Sequence, residues 1–216
     1  MRVAAVQMCS TPDVAHNVAT AVELVEEAAH RGATFVALPE LFNRWGSAAE
    51  LRDGAEPLDG PTLTRFRDLA RMLGIALLAG SIVEQGDGGA LYNASCLVGA
   101  DGRVHAVYRK IHLFDVDVDG RAYRESDTER PGEEPVLCEL AGWPVGLSIC
   151  YDLRFPELYR ALGEVDILFV PSAFTETTGK AHWETLIRAR AIENQCYVLA
   201  PAQGGRHENG RRTWGH

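Results

Sequence analysis

The chain has 216 residues, 46% hydrophobic and 24% charged, with a formal net charge of −9. That length fits one domain with a sizeable core better than two small ones, and the composition is that of a folded protein. The acidic balance argues against a phosphate-backbone partner, and every apolar run is interrupted short of membrane-span length, so neither nucleic acid nor membrane is expected.

The N-terminus, MRVAAVQMCS, has one basic residue and a short alternating apolar stretch, which reads as a first strand rather than a signal peptide. Val14, Val18, Val22, Val25 and Ala29 then recur at helical spacing, with Gly32 as the stop. TFVAL (34–38) is a short buried-type strand running into Pro39 and Glu40. Pro61 opens a second helix, with Leu63, Phe66, Ala70 and Leu73 on one face and Gly74 behind. IALLAGSIVE (75–84) and ALYNASCLVG (90–99) flank a glycine-rich turn, and Asp101-Gly102 signals a hairpin into RVHAVYR. Residues 112–134 are polar, punctuated by glycine and proline, and without clear periodicity. A loop that long is expected to be functional. PVLCEL and PVGLSIC form a strand pair, followed by a short helix around Pro156–Leu162, the strand DILFV, a long helix through AHWETLIRARAIEN, and QCYVLAPA. No repeat or linker divides the chain, so residues 1–216 read as a single mixed α/β domain with helices covering its sheets.

The five cysteines, Cys9, Cys96, Cys138, Cys150 and Cys196, are odd in number, widely spaced and free of any C-x-x-C pair. Reduced thiols in a cytoplasmic compartment fit that pattern, and a disulfide framework or zinc site does not. The seven histidines include no H-E-x-x-H, so no metal is expected.

Three reactive residues each stand where the chain leaves an apolar strand: Glu40 after TFVALP, Lys110 after RVHAVYR, and Cys150 at the end of PVGLSIC. Strand ends are where a rigid scaffold presents catalytic groups. Cys150, with a strand before it and a helix shortly after, has the setting of a nucleophile elbow. Taken singly, each has a plainer reading: a helix-start acid, a surface cation, a small core thiol. Together they are chemically coherent.

LPELF (38–42), YRKIHLFD (108–115) and ICYDLRFPELYR (149–160) resemble the three signature segments of the nitrilase, or carbon–nitrogen hydrolase, superfamily. PSAFTETTGKAHWETLIRARAIENQCYVLAPAQ (171–203) is similar to the region that follows them, and the likeness runs from Val3 to His216. Within the superfamily the chain looks closest to the ω-amidase and deaminated-glutathione-amidase branch. The resemblance implies a four-layer α-β-β-α sandwich of mixed sheets and a Glu40–Lys110–Cys150 triad. It further implies a second glutamate at Glu125, no metal or organic cofactor, and a homodimer or higher homo-oligomer packed through helices. Relatives continue past the TWGH segment, so the chain is expected to lack C-terminal strands of the family fold.

The chemistry suits these residue types. An amide carbonyl is a poor electrophile, and a thiolate is the strongest natural nucleophile available to attack it. A buried carboxylate can serve as the base in place of histidine. Glu40 is expected to take the Cys150 proton and return one to departing ammonia, with water then cleaving the thioester. Lys110 and the Tyr151 backbone N–H are expected to support the oxyanion, and Glu125 to hold the lysine or orient water. Arg154, four residues after Cys150, could pair with a substrate carboxylate or brace the turn against Asp152 or Glu157. Thr175, Thr177 and Thr178 offer hydroxyls to a polar tail. The expected activity is hydrolysis of a small, carboxylate-bearing ω-amide to acid and ammonia. A catalytically degenerate binding or scaffolding member, or a nitrile hydrolase, are the alternatives. The residue after Cys150 is tyrosine, as in the amidase branches, where the true nitrilases typically carry tryptophan.

Overall fold

The computed structural model describes residues 1–118 and 120–215. In chain order the strands and helices are β1 (Val3–Ala5), α1 (Val14–His30), β2 (Phe35–Ala37), α2 (Ala48–Asp53), α3 (Pro61–Leu73), β3 (Ala76–Leu78), β4 (Ile82–Gln85), β5 (Leu91–Val98) and β6 (Val104–Arg109). The second half contains β7 (Asp115–Val118), β8 (Arg121–Arg124), β9 (Val136–Leu140), β10 (Trp143–Leu147), α4 (Pro156–Ala161), β11 (Ile167–Phe169), α5 (Glu176–Asn194), β12 (Tyr197–Leu199), β13 (Gly205–Arg206) and β14 (Arg212–Thr213).

Two mixed sheets stack face to face. One has the order β1-β2-β3-β5-β4, with β6 also on β5; the other runs β12-β11-β10-β9. The alternation of side chains along β2 shows why both faces must be covered. Phe35 and Ala37 point into the core shared with the second sheet, where Phe35 meets Phe169 of β11 at 4.8 Å. Val36 and Leu38 point the other way, onto Val22 and Val25 of α1 and Leu63 and Phe66 of α3. Helices α4 and α5 lie against the second sheet, so the layers run helix, sheet, sheet, helix.

The helix ends follow their local chemistry. Asp13 caps α1 through the His16 N–H, Pro61 opens α3, and Gly74 closes it in the left-handed conformation. Three expectations are corrected. The run 75–84 is not one strand, because it breaks at Gly80 (φ +34°) into β3 and β4, both antiparallel to β5. A Cβ at Gly80 would lie 2.0 Å from the Pro39 carbonyl oxygen, so only glycine lets the two segments approach here, one residue before Glu40. The segment 112–134 is not structureless, since β7 and β8 pair antiparallel within it. The long helix α5 begins at Glu176, five residues earlier than the apolar pattern suggested.

Candidate active site

Each reactive side chain is delivered by a sheet. Parallel β1, β2 and β3 end together, and Glu40 follows β2 by three residues. Lys110 follows β6 directly; its N–H donates to the Asn93 carbonyl and its own carbonyl accepts from Gly132, at 2.9 and 2.8 Å, so its backbone is fixed on both sides. Beyond β10 the ladder to β11 continues through Ser148 N–H to Phe169 O and Cys150 N–H to Pro171 O, at 3.0 and 2.9 Å. The chain then turns sharply into a 3₁₀ turn over Cys150–Arg154. Cys150 itself sits at φ +49°, a left-handed backbone that a non-glycine residue holds at a cost of about 1–3 kcal/mol. This is the elbow expected from the sequence, and the strain lies at the thiol-bearing residue.

Glu40, Lys110 and Cys150 are all buried and line one cavity of about 320 Å³ together with Glu125. Lys110 Nζ bridges two carboxylates, 3.1 Å from Glu40 Oε1 and 2.9 and 2.8 Å from the two oxygens of Glu125. Asn93 Nδ2 donates to the same pair, at 3.0 Å to Glu40 and 3.1 Å to Glu125, while the Phe114 N–H donates to Glu125 at 2.6 Å. Burial works against the Lys110 charge, but Glu125 and Glu40 outweigh it and hold the ammonium well above its ordinary pKa. Burial likewise opposes the Glu125 charge, yet Lys110 and the surrounding donors hold that carboxyl below its usual range. The Cys150 thiol is pushed well up, by burial first and then by the Glu40 carboxylate it faces, with Lys110 and the Ala173 backbone pulling the other way. In the free protein Cys150 therefore rests as a thiol beside Glu40.

Around this centre lie groups that the sequence did not single out. Asn93 was hidden in the apolar run of β5, and its only signal was a lone amide among buried residues. Asp152 is fully buried, accepting from Tyr108 Oη at 2.7 Å, Ile149 N–H at 2.8 Å and His112 N–H at 3.0 Å, with His112 Nδ1 at 2.7 Å. It ties the Cys150 turn to the segment that carries Lys110. Glu129 is buried on the cavity wall, and burial, then Glu125, pushes its carboxyl well above the usual range. Arg211, just before β14, lines the cavity with its guanidinium between two rings, 4.7 Å from the centroid of Trp45 and 4.8 Å from that of Tyr123.

The remaining expected residues fall at or beside the cavity. Tyr151 and Thr175 line it, and Thr175 Oγ1 lies 2.7 Å from Thr178 Oγ1. Arg154 is not on the cavity wall. Its guanidinium lies 5.7 Å from the Tyr151 ring and 5.3 Å from the Phe174 ring, with Nη1 3.2 Å from His182 Nδ1, and neither Asp152 nor Glu157 pairs with it. Among the described residues no group of three or more His, Cys, Asp or Glu side chains is placed to hold a metal ion, and no helix is long and apolar enough to cross a membrane.

A buried thiol, carboxylate and ammonium converging at the ends of two stacked mixed sheets define a hydrolase that works through a cysteine. Comparison with known proteins gives its lineage. Residues 2–216 match the carbon-nitrogen hydrolase family, and the chain belongs to that family, within the nitrilase superfamily. It is 44% identical over 220 residues to a deaminated glutathione amidase of Synechocystis, covering 99% of this chain and 81% of that one. It is 46% identical over 224 residues to the mouse deaminated glutathione amidase, covering 99% and 69%. Among solved structures, the Caenorhabditis elegans NitFhit protein superposes with a TM-score of 0.89 at 38% identity, over 99% of this chain and 54% of that one. A Saccharomyces cerevisiae member of branch 10 of the nitrilase superfamily gives 0.87 at 33% identity, over 99% and 79%. The chain is thus a cysteine-dependent amidase, cleaving the C–N bond of an amide.

Proposed function

We propose that the Cys150 thiol attacks the carbonyl of a small carboxamide, with Glu40 as base and Lys110 as electrostatic partner. The observation that carries this reading is the Lys110 ammonium bridging Glu40 and Glu125 in the cavity that also exposes Cys150. As substrate enters, the proton of Cys150 passes to Glu40 and sulfur bonds to the carbonyl carbon. The oxyanion that forms is met by Lys110 and the Tyr151 backbone N–H, donors of a kind worth about 3–4 kcal/mol each. Collapse returns the proton from Glu40 to nitrogen and expels ammonia, leaving a thioester. Water, deprotonated by Glu40, then attacks; the acid leaves and the thiol is restored. Glu125 takes no proton in this scheme. It fixes the Lys110 ammonium, which is why it is held ionised.

The amide is proposed to carry a carboxylate at its far end. Arg154 places a cation beside two rings that line the cavity, and Thr175 and Thr178 supply hydroxyls on its wall. Relatives named deaminated glutathione amidase support the same class. The protein is further proposed to work as a cytoplasmic homodimer forming one domain over residues 1–216, without nucleic acid, membrane or cofactor.

The test is ammonia release from a panel of small ω-amides, neutral amides and a nitrile, by the wild type and by Cys150→Ala. Amide turnover that disappears in Cys150→Ala while the melting temperature holds is the expected result. Unchanged turnover in the variant would end the nucleophile assignment. Release only from the nitrile would make the protein a nitrile hydrolase. No turnover, with Cys150 inert to iodoacetamide, would make it a binding or scaffolding member.

A further inference from the structure

The Arg211 guanidinium is a half-buried cation without a counter-ion. Among the described residues it makes no ion pair and no side-chain hydrogen bond, and its Nε is sealed from solvent with no acceptor. Burial holds its pKa below the ordinary arginine value, while Tyr123 and the Glu40 and Glu125 carboxylates favour its charge only through space. The indole Nε1 of Trp45, the ring 4.7 Å from the guanidinium, is also buried without an acceptor. Both residues line the cavity. A cation on the wall of a cavity, with no protein anion to pair with, is costly unless something that enters the cavity supplies the missing oxygens.

The fork is also held rigidly. The Trp45 and Tyr123 rings lie against it, at 4.7 and 4.8 Å, and Trp45 is itself stacked on His207 at 4.5 Å. His207 is fixed in turn by Ser10 O at 2.9 Å and Thr213 Oγ1 at 2.8 Å. A planar guanidinium held between neighbouring side chains loses little freedom when it binds a carboxylate in two parallel hydrogen bonds.

We infer that Arg211, with Trp45 beside it, is the anchor for the substrate's carboxylate, fixing the amide end of a short monoamide of a dicarboxylic acid over Cys150. This rests on the carboxylate-bearing amide proposed above and assigns its recognition to the β13–β14 end of the chain instead of to Arg154. It also accounts for binding an anion beside Glu40 and Glu125: the local cation offsets their repulsion.

Two readouts test it. The first is kcat/KM for glutaramate and for the neutral analogue butyramide. In Arg211→Gln the ratio of charged to neutral should fall about 10- to 100-fold, the range for losing a hydrogen bond to a charged group. Trp45→Phe, which keeps an aromatic face and deletes the N–H, should lower the ratio less. The second needs no turnover: millimolar glutarate should slow iodoacetamide labelling of Cys150 in the wild type and not in Arg211→Gln, with circular dichroism confirming that both are folded. Equal losses on both amides, or protection by glutarate that survives in Arg211→Gln, would overturn the assignment. A wild type that does not prefer glutaramate, and whose Cys150 glutarate does not protect, would overturn the carboxylate-bearing substrate as well. Wild-type preference and protection that persist in Arg211→Gln would spare that substrate class and sink Arg211 alone.

Discussion

At the scale of single residues, the site is a balance of charges among buried side chains. Glu40 raises the Cys150 thiol and Lys110 lowers it, so the two should be separable by substitution. Glu40→Gln removes the anion and keeps the shape. The thiol should then titrate at lower pH, moving the iodoacetamide-labelling profile to the acid side, while ammonia release falls because the proposed base is gone. A labelling profile that does not move would place Glu40 out of reach of the sulfur. Glu129 offers a second test through stability. It faces Glu125, Glu40 and Lys110, and its folded pKa is raised. The folded state therefore keeps a proton that the unfolded state gives up above about pH 4.3. Stability is fully present below that pH and is lost progressively as pH rises toward the folded value. Glu129→Gln cancels this loss. The variant should melt a few degrees above wild type at pH 7.5 and no higher at pH 4. An equal difference at both pH values would mean that Glu129 is ionised in the fold.

At the scale of elements, the reactive groups keep their places because the turns beyond the strands are cross-braced. Asp152 is the central brace: both its oxygens are filled by donors from β6, from His112 and from the residue before Cys150. Asp152→Asn is nearly isosteric but presents an NH₂ to donors, leaving at least one buried group unpaired at about 1–3 kcal/mol. It should lower the melting temperature by several degrees and kcat with it, since the elbow and the Lys110 segment lose their common tie. A variant with wild-type kcat would show that the elbow holds itself. These braces also show what could be read in advance. Glu40, Lys110 and Cys150 were legible because each follows an apolar strand. Asp152 lay within a recognised segment, but its partners come from 40 and 44 residues away, and only folding brings them together. The β7–β8 hairpin carries no clear signal because Asp115 and Asp117 alternate with valines that are only partly covered, and Arg121 and Arg124 flank Ala122 and Tyr123, so neither face carries a core signal. Its pairing is helped instead by the ion pair from Arg124 to Asp117 at 3.0 Å. Arg211 was illegible for a different reason. Its neighbour Arg212 is an equally basic residue that pairs with Glu176 at the surface, and no local pattern separates the two.

At the scale of the whole molecule, the layering fixes which surface is left for a second copy. Helices α1 and α3 close one sheet, and α4 and α5 lie on the other. The C-terminal end of α5 and the strand after it nevertheless leave two large apolar side chains in solvent, Ile192 at 75% exposure and Tyr197 at 73%. Isolated exposed apolar residues need no explanation, but these two lie on either side of the Gln195 cap, and β12 is the end strand of its sheet. An exposed strand edge flanked by apolar side chains favours association, and a symmetric dimer across α5 would cover both features in each copy at once. The wild type is accordingly expected to sediment at twice the 23.6 kDa chain mass. Ile192→Glu places two like charges against each other across that symmetric contact and should shift the equilibrium toward monomer, with ammonia release measured in parallel. Sedimentation of the wild type at 23.6 kDa across a wide concentration range would overturn the homodimer. A dimer that tolerates Ile192→Glu at micromolar concentration would remove α5 from the interface, because a standard interface of about 800 Å² per partner does not absorb a buried, unpaired charge without weakening.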